Sequence, residues 1–133
     1  MKLPSNWLIA TNGTQFAGEA VQHAGMLSAV LKDKPDVTIL VVAETEERKE
    51  NALAIVEMAK LLYKEFGGPL SNPKAMVKVG KPGEVIVETA NELECDQVLI
   101  GGGDFKWDVC EAEEGAISNY IIANFHGVLT VAR

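Results

Sequence analysis

Short apolar runs alternate along this chain with longer segments in which apolar residues recur every three or four positions. The clearest run, Val37–Ala43, is rich in β-branched residues, as expected for a strand that is buried on both faces. The longer segments have the period of a helix. Because strands and helices alternate, the chain is predicted to form a parallel sheet with right-handed crossovers and helices on both faces.

Five strands and four helices can be placed on the sequence. The predicted strands are Trp7–Thr11, Val37–Ala43, Ala75–Val79, Gln97–Ile100 and Val128–Ala132. The first helix is predicted to begin with Thr14 as its cap, the second opens at Thr45 before acidic first-turn residues, and the third has Pro82 in its first turn. The fourth runs from about Gly115 to Phe125.

The composition is that of a single globular domain spanning residues 1–133. Hydrophobic residues make up 47% of the chain and charged residues 23%, both ordinary for a globular protein. Twelve basic and 19 acidic residues give a net charge of −7. Nucleic acid and anionic membrane are therefore not expected partners, because both require clustered Lys and Arg. The apolar runs are too short to cross a bilayer and residues 1–6 lack a signal-peptide core, so we expect a cytoplasmic protein.

The residues that most often carry catalysis or bind metals stand apart from one another. Cys95 and Cys110 do not form a C-x-x-C pair, and free thiols are expected in a reducing cytosol. His23 and His126 have no nearby cysteine or second histidine at metal-ligand spacing. We therefore predict no catalytic residue and no metal site.

Two glycine-containing segments follow predicted strands. Asn12–Thr14 follows the first strand and Gly101–Gly103 follows the fourth. In open parallel sheets, ligands bind beyond the carboxyl ends of the strands, where the strand order reverses. Glycines also let backbone N–H groups approach an anion closely. The sequence therefore predicts a ligand between these two segments.

The order and spacing of several short motifs resemble the universal stress protein family over essentially the whole chain. The family's first strand ends in Asp-Gly-Ser, which Ile9–Thr14 matches with Asn12 in place of the aspartate. The family's second strand corresponds to Ile39–Val42, and the Gly-x-Pro after its third strand corresponds to Gly80–Pro82. The strand that runs into glycine corresponds to Val98–Gly101, and the closing strand corresponds to Val128–Arg133. The resemblance implies a three-layer α/β sandwich, with a five-stranded parallel sheet in the order 3-2-1-4-5 and two helices on each face.

The resemblance also implies a nucleotide site and a dimer edge. If the family's adenine-nucleotide site is retained, its residues are Asn12, Gly13, Thr14, Val42, Gly101, Gly102, Gly103, Gly115 and Ser118. The closing strand is an apolar run at the edge of the implied sheet, and the unpaired backbone groups of such an edge tend to pair with another strand or to be shielded. In the family it commonly pairs with a second copy. The predicted dimer-edge residues are Val128, Leu129, Thr130, Val131 and Ala132.

The family's ATP-binding motif is incomplete in this chain. The motif is G-x-x-G, nine residues, then glycine followed by Ser or Thr. Starting it at Gly101 places Asp104 and Glu114 at the two later glycines. Starting it at Gly102 recovers the third glycine but not the second, and places Ala116 at the hydroxyl position. Neither register satisfies the motif.

The segment after the glycines is also strongly acidic. Residues 104–114 contain five acids and one base, a net charge of −4. Two like charges ~4 Å apart repel by about 4 kcal/mol at an effective dielectric near 20, so a triphosphate is disfavoured here. Two arrangements would still allow a triphosphate to bind. Mg²⁺ could bridge the acids to a phosphate, since it prefers carboxylate and phosphate oxygens, or the loop could turn its acids into water.

Three functional hypotheses follow. The first is a universal stress protein-like homodimer that acts as a cytoplasmic regulatory or adaptor module, without canonical ATP binding. The second is a sensor that binds ATP or AMP, with Mg²⁺ as a further cofactor and at most slow hydrolysis. The third is a flavodoxin-like electron carrier or small enzyme, although the chain offers no G-x-G-x-x-G after the first strand and no nucleophile elbow.

Overall fold

The computed structural model describes residues 3–13, 15–101 and 116–132. Its strands are β1 (Asn6–Ala10), β2 (Asp36–Ala43), β3 (Lys74–Val79), β4 (Gln97–Gly101) and β5 (Val128–Ala132). Its helices are α1 (Gln15–Val30), α2 (Lys49–Gly67), α3 (Pro82–Glu92) and α4 (Ala116–Asn124), and a 3₁₀ turn, Glu46–Arg48, precedes α2. Within these ranges no helix is both long and apolar enough to cross a membrane.

The five strands lie parallel in one sheet in the order β3-β2-β1-β4-β5, which confirms the predicted order. β1 is central, because Ile9 is in register with Ile39 of β2 on one side and with Leu99 of β4 on the other. The chain proceeds outward from β1 to β3 and then outward again from β4 to β5 on the opposite side. The strand order therefore reverses between β1 and β4.

Alternate residues of the strands contribute to two separate hydrophobic cores, because successive side chains of a strand point to opposite faces. Ile9 of β1 lies in one core, together with Val21 of α1 and other side chains of α1 and α2. Its neighbour Leu8 lies in the second core with Ile121 of α4 and side chains of α3. Burial on both faces explains why the strands lack regular polar alternation.

Several element boundaries differ from the sequence prediction, and two of these differences lie next to the carboxyl ends of β1 and β2. Thr45 precedes the 3₁₀ turn rather than α2, and the Arg48 N–H donates to the Thr45 carbonyl at 3.1 Å, the short bond of a 3₁₀ turn. β1 ends one residue before Thr11, although the Thr11 N–H still donates to the Leu40 carbonyl at 3.0 Å. The chain thus turns sharply after β2, before α2 begins.

α1 and α2 approach each other closely at Gly25. A Cβ built on this glycine would lie 3.0 Å from the Tyr63 carbonyl oxygen and 3.0 Å from the Phe66 Cβ. The buried Ser28 hydroxyl donates to the Gly25 carbonyl at 2.8 Å. Because a Cβ at Gly25 would crowd α2, the absence of a side chain there is what permits this helix packing.

Tyr63 and Ser28 also interact at this contact. Burial raises the pKa of the Tyr63 phenol, and the Ser28 hydrogen bond opposes that shift.

The Asp96 carboxylate joins the amino ends of β1 and β4. It accepts hydrogen bonds from the Ser5 N–H at 2.8 Å and the Asn6 N–H at 2.9 Å. The side-chain Nδ2 of Asn6 in turn donates to the Leu93 backbone carbonyl at 2.8 Å. These bonds fix the register of the two strands between which the strand order reverses.

Candidate functional site

A cavity of about 340 Å³ lies beyond the carboxyl ends of the strands, where the strand order reverses. Asn12 after β1, Ala43 at the end of β2 and Gly101 at the end of β4 all line it. Small-molecule sites in proteins begin at about 300 Å³. This space, called the ligand cavity below, is therefore of a size and position that suit a small organic ligand.

Aliphatic side chains from helices on the two faces of the sheet line the ligand cavity. Ala52 and Ile55 come from α2, and Pro82 and Ile86 come from α3. α2 belongs to one core of the sheet and α3 to the other. A flat, apolar ring system would therefore meet an aliphatic surface on each of its faces.

The backbone of Val42 is directed toward the ligand cavity from β2. The Leu40 carbonyl points toward β1, where it accepts from Thr11, and the Ala43 carbonyl points toward β3, where it accepts from Gly80. The backbone N–H and C=O groups of successive strand residues point alternately to the two neighbouring strands. Those of Val42 therefore point toward the β1 side, as the carbonyl of Leu40 does. β1 ends at Ala10, opposite Leu40, so β2 extends past it at this point.

Three polar residues line the ligand cavity on the side where β2 joins α2. Glu44 follows β2, Arg48 ends the 3₁₀ turn and Asn51 lies in the first turn of α2. We call these three residues the polar rim. The sequence prediction did not include them, because an acidic loop and a polar helix start resemble ordinary solvated surface. The signal that could have found them is that they follow the carboxyl end of a strand next to the switch point.

The structure brings several predicted nucleotide-site residues together. Asn12, Val42, Gly101 and Ser118 line the ligand cavity, and Ser118 is buried in the first turns of α4. Gly13 lies beside the cavity with a φ of 85°, and a Cβ placed there would lie 3.2 Å from Ile55. Glycine therefore suits this turn both for its backbone conformation and for its close approach to α2.

The remaining predicted positions lie outside the described residues. They are Thr14, Gly102, Gly103 and Gly115. The acidic segment 104–114, on which the prediction about triphosphates and Mg²⁺ depends, also lies outside.

Cys95 has the properties of a structural thiol. The residue is buried, and burial together with the nearby Asp96 carboxylate raises its pKa to about 11. The thiol is therefore protonated at neutral pH and is a poor nucleophile. In the part of the chain that the structure describes, no group of three or more His, Cys, Asp or Glu side chains could hold a metal ion.

Solved structures with the same fold come from the universal stress proteins. A universal stress protein in complex with cAMP superimposes with a TM-score of 0.82 at 17% sequence identity, covering 99% of this chain and 98% of that one. A universal stress protein from Archaeoglobus fulgidus in complex with dAMP gives a TM-score of 0.74 at 13% identity, covering 100% of both chains.

A third solved structure gives a similar match. A universal stress protein family protein from Arabidopsis thaliana with AMP bound has a TM-score of 0.67 at 16% identity, covering 97% of this chain and 91% of that one. No protein-family model matches the chain. The structural likeness confirms the architecture that the sequence motifs imply. This chain has the universal stress protein fold.

Proposed function

We propose that this protein is a regulatory module that binds an adenine mononucleotide in the ligand cavity. The observation that carries the proposal is the cavity itself, which opens at the switch point between aliphatic surfaces from α2 and α3. The structurally similar proteins are described in complex with cAMP, dAMP or AMP. Of the three sequence hypotheses, the nucleotide-binding one therefore gains most support, and it is compatible with a regulatory role.

The β2 side of the cavity suits the base. An adenine ring would lie between Ile55 of α2 and Ile86 of α3, which bury its two faces. The Val42 N–H and C=O offer one donor and one acceptor. This pair complements the acceptor N1 and the amino group N6 on the Watson–Crick edge of adenine. Asn12 provides a polar group beside the ribose in this arrangement.

The β4 side suits a short phosphate group. Gly101 and Ser118 line the cavity there, and a glycine backbone and a serine hydroxyl are both common phosphate contacts. The carboxyl ends of β2 and β4 are separated by two interstrand spacings, about 10 Å, which is comparable to the length of a mononucleotide. A longer phosphate chain carries more negative charge, and Gly101 is followed in sequence by the acidic segment 104–114, so we propose that AMP binds better than ATP.

The proposal extends to a homodimer formed through β5. The two edges of the sheet differ, because β3 carries Lys74 and Lys78 whereas Val128–Ala132 has no charged residue. Edge lysines oppose pairing with another strand, and an uncharged edge permits it. We also propose a cytoplasmic location, since Cys95 is buried as a free thiol, which suits a reducing compartment.

Calorimetry with AMP, ADP and ATP, with and without Mg²⁺, tests the nucleotide proposal. We expect AMP to bind, and ATP to bind more weakly unless Mg²⁺ is present to bridge the acidic segment to the phosphates. The absence of heat with every nucleotide at millimolar concentration would remove the proposal. A yellow purified protein would instead favour the flavodoxin-like hypothesis.

The site of binding can be located in the same samples. Amide resonances of Val42, Ile55, Ile86 and Gly101 should shift on addition of AMP. Those of Leu70, which is exposed far from the strand ends that form the cavity, should not. Shifts confined to other parts of the chain would place the ligand outside the cavity.

A further inference from the structure

The polar rim is arranged around one face of the start of α2. Arg48 and Asn51 are three residues apart and therefore lie on the same face of the helix. Ala52 and Ile55 continue this face, four and seven residues after Arg48, and all four line the ligand cavity. The face is thus polar where the helix begins and aliphatic further along.

The Arg48 and Asn51 side chains are not engaged elsewhere in the described protein. Arg48 occupies the N-cap position of α2 but makes no side-chain capping bond. Glu44 is four residues away and also lines the cavity, yet the ion pair found among the described residues is Lys78–Glu92. Of the described residues that line the cavity, Arg48 alone is positively charged. Its guanidinium donors, like the Asn51 amide, are available to a ligand.

The position of these two residues points to the base rather than the phosphate. They follow β2, whose Val42 backbone suits the base, whereas Gly101 and Ser118 line the cavity from the side of β4, which is separated from β2 by β1. When the Watson–Crick edge of a purine faces Val42, its N7 edge remains to be read by side chains. Arg and Asn are the two side chains that most often bind this edge, Arg through N7 and O6 of guanine and Asn through N7 and N6 of adenine.

We infer that Arg48 and Asn51 are base-contacting residues that give the ligand cavity a preference for purines by donating to N7, which they share as the acceptor of a three-centre hydrogen bond. Asn51 further favours adenine, because its amide can donate to N7 while it accepts from the N6 amino group. Pyrimidines have no equivalent acceptor. This inference rests on the proposed nucleotide-binding function and assigns its base selectivity to the end of the 3₁₀ turn and the first turn of α2.

A ligand that lacks only N7 tests the inference without changing the protein. 7-Deaza-AMP replaces N7 with a C–H and keeps the Watson–Crick edge, the ribose and the phosphate. The wild-type protein should bind it about tenfold more weakly than AMP, the effect of losing a hydrogen bond to a charged donor. Equal affinities for AMP and 7-deaza-AMP would overturn the inference while leaving the proposed function intact.

Two variants identify the donors. Arg48→Ala should weaken AMP binding and leave the affinity for 7-deaza-AMP within about twofold of wild type. Asn51→Ala should weaken both ligands, and AMP by the larger factor, because 7-deaza-AMP keeps the N6 amino group but lacks N7. The matched control is Lys49→Ala, which removes the same charge from an exposed residue of the same turn that does not line the cavity. It should change neither affinity by more than about twofold. Circular dichroism confirms that each variant is folded.

Adenosine distinguishes base contact from phosphate contact. If Arg48 contacts the base, Arg48→Ala weakens adenosine and AMP by the same factor. A loss of AMP affinity with unchanged adenosine affinity would show that Arg48 binds phosphate, and the inference would be wrong. A wild-type protein that binds neither AMP nor adenosine would overturn the proposed function and this inference together.

Discussion

Gly25 shows how much a single missing side chain contributes to this fold. Replacing it with alanine places a Cβ 3.0 Å from the Tyr63 carbonyl oxygen, which cannot move aside as a flexible side chain would. Gly25→Ala improves the helix propensity of α1 by up to about 1 kcal/mol, but overpacking costs about 1–3 kcal/mol. Because the overpacking cost exceeds the propensity gain, we expect a net loss of up to about 2 kcal/mol in the free energy of unfolding, measured by urea denaturation.

Gly18 provides the matched control within the same helix. A Cβ there would have Leu62 as its neighbour at 3.9 Å, an ordinary contact. Gly18→Ala should therefore stabilise the protein by about 0.5–1 kcal/mol through helix propensity alone. If the two alanine variants changed stability by the same amount, the close contact at Gly25 would not be the cause.

Single residues are also where sequence reasoning was least complete. Asn12 and Gly101 could be placed at the candidate site because each follows a predicted strand next to the switch point. Arg48 and Asn51 could not, because a charged residue and an amide at a helix start usually serve as solvated surface. Their place after the carboxyl end of β2 is a weak sequence signal, and the structure shows that both residues line the ligand cavity.

Among the elements, β1 and β4 depend on Asp96 for their alignment. Asp96→Ala removes the acceptor of the Ser5 and Asn6 N–H bonds. We expect a loss of about 2 kcal/mol in the free energy of unfolding, in the range for hydrogen bonds to a charged group. Glu92→Ala is the control. It breaks the ion pair between the half-buried Lys78 and the exposed Glu92, and should cost less than about 1 kcal/mol.

Hydrogen exchange provides a second readout of the same variant. If Asp96 acts on strand alignment, exchange should accelerate at the amino ends of β1 and β4 more than at the start of β2. A uniform acceleration would indicate general destabilisation instead.

The elements themselves were largely predictable because their patterns are strong. β2 is a continuous apolar run, and α3 begins with a proline that only suits a first turn. The start of α2 was placed too early because Thr45 followed by two glutamates is also a good helix start. The choice between a 3₁₀ turn and an α-helical turn depends on the sharp change of direction after β2, which local sequence does not encode.

For the whole molecule, the difference between the two sheet edges underlies the proposed dimer. We expect a species of twice 14.3 kDa in light scattering of the wild-type protein. Val131→Lys puts a charge on the uncharged β5 edge, where the side chain is 36% exposed, and should yield a species of 14.3 kDa. Leu70→Lys adds the same charge at a position that is 79% exposed and outside β5, and should leave the dimer intact. A monomeric wild type would exclude β5 pairing.

The 3₁₀ turn after β2 has a further consequence for how such a protein can change. None of its three residues is buried, and neither hydrophobic core includes them, although Arg48 faces the ligand cavity. Selection acting on ligand choice could therefore exchange this short segment freely, while the selection that maintains folding acts elsewhere. Copies of one ancestral domain could diverge in the ligand that they sense by replacing Arg48, the residue of this turn that lines the cavity, and the same position is the natural place to install a new specificity by design.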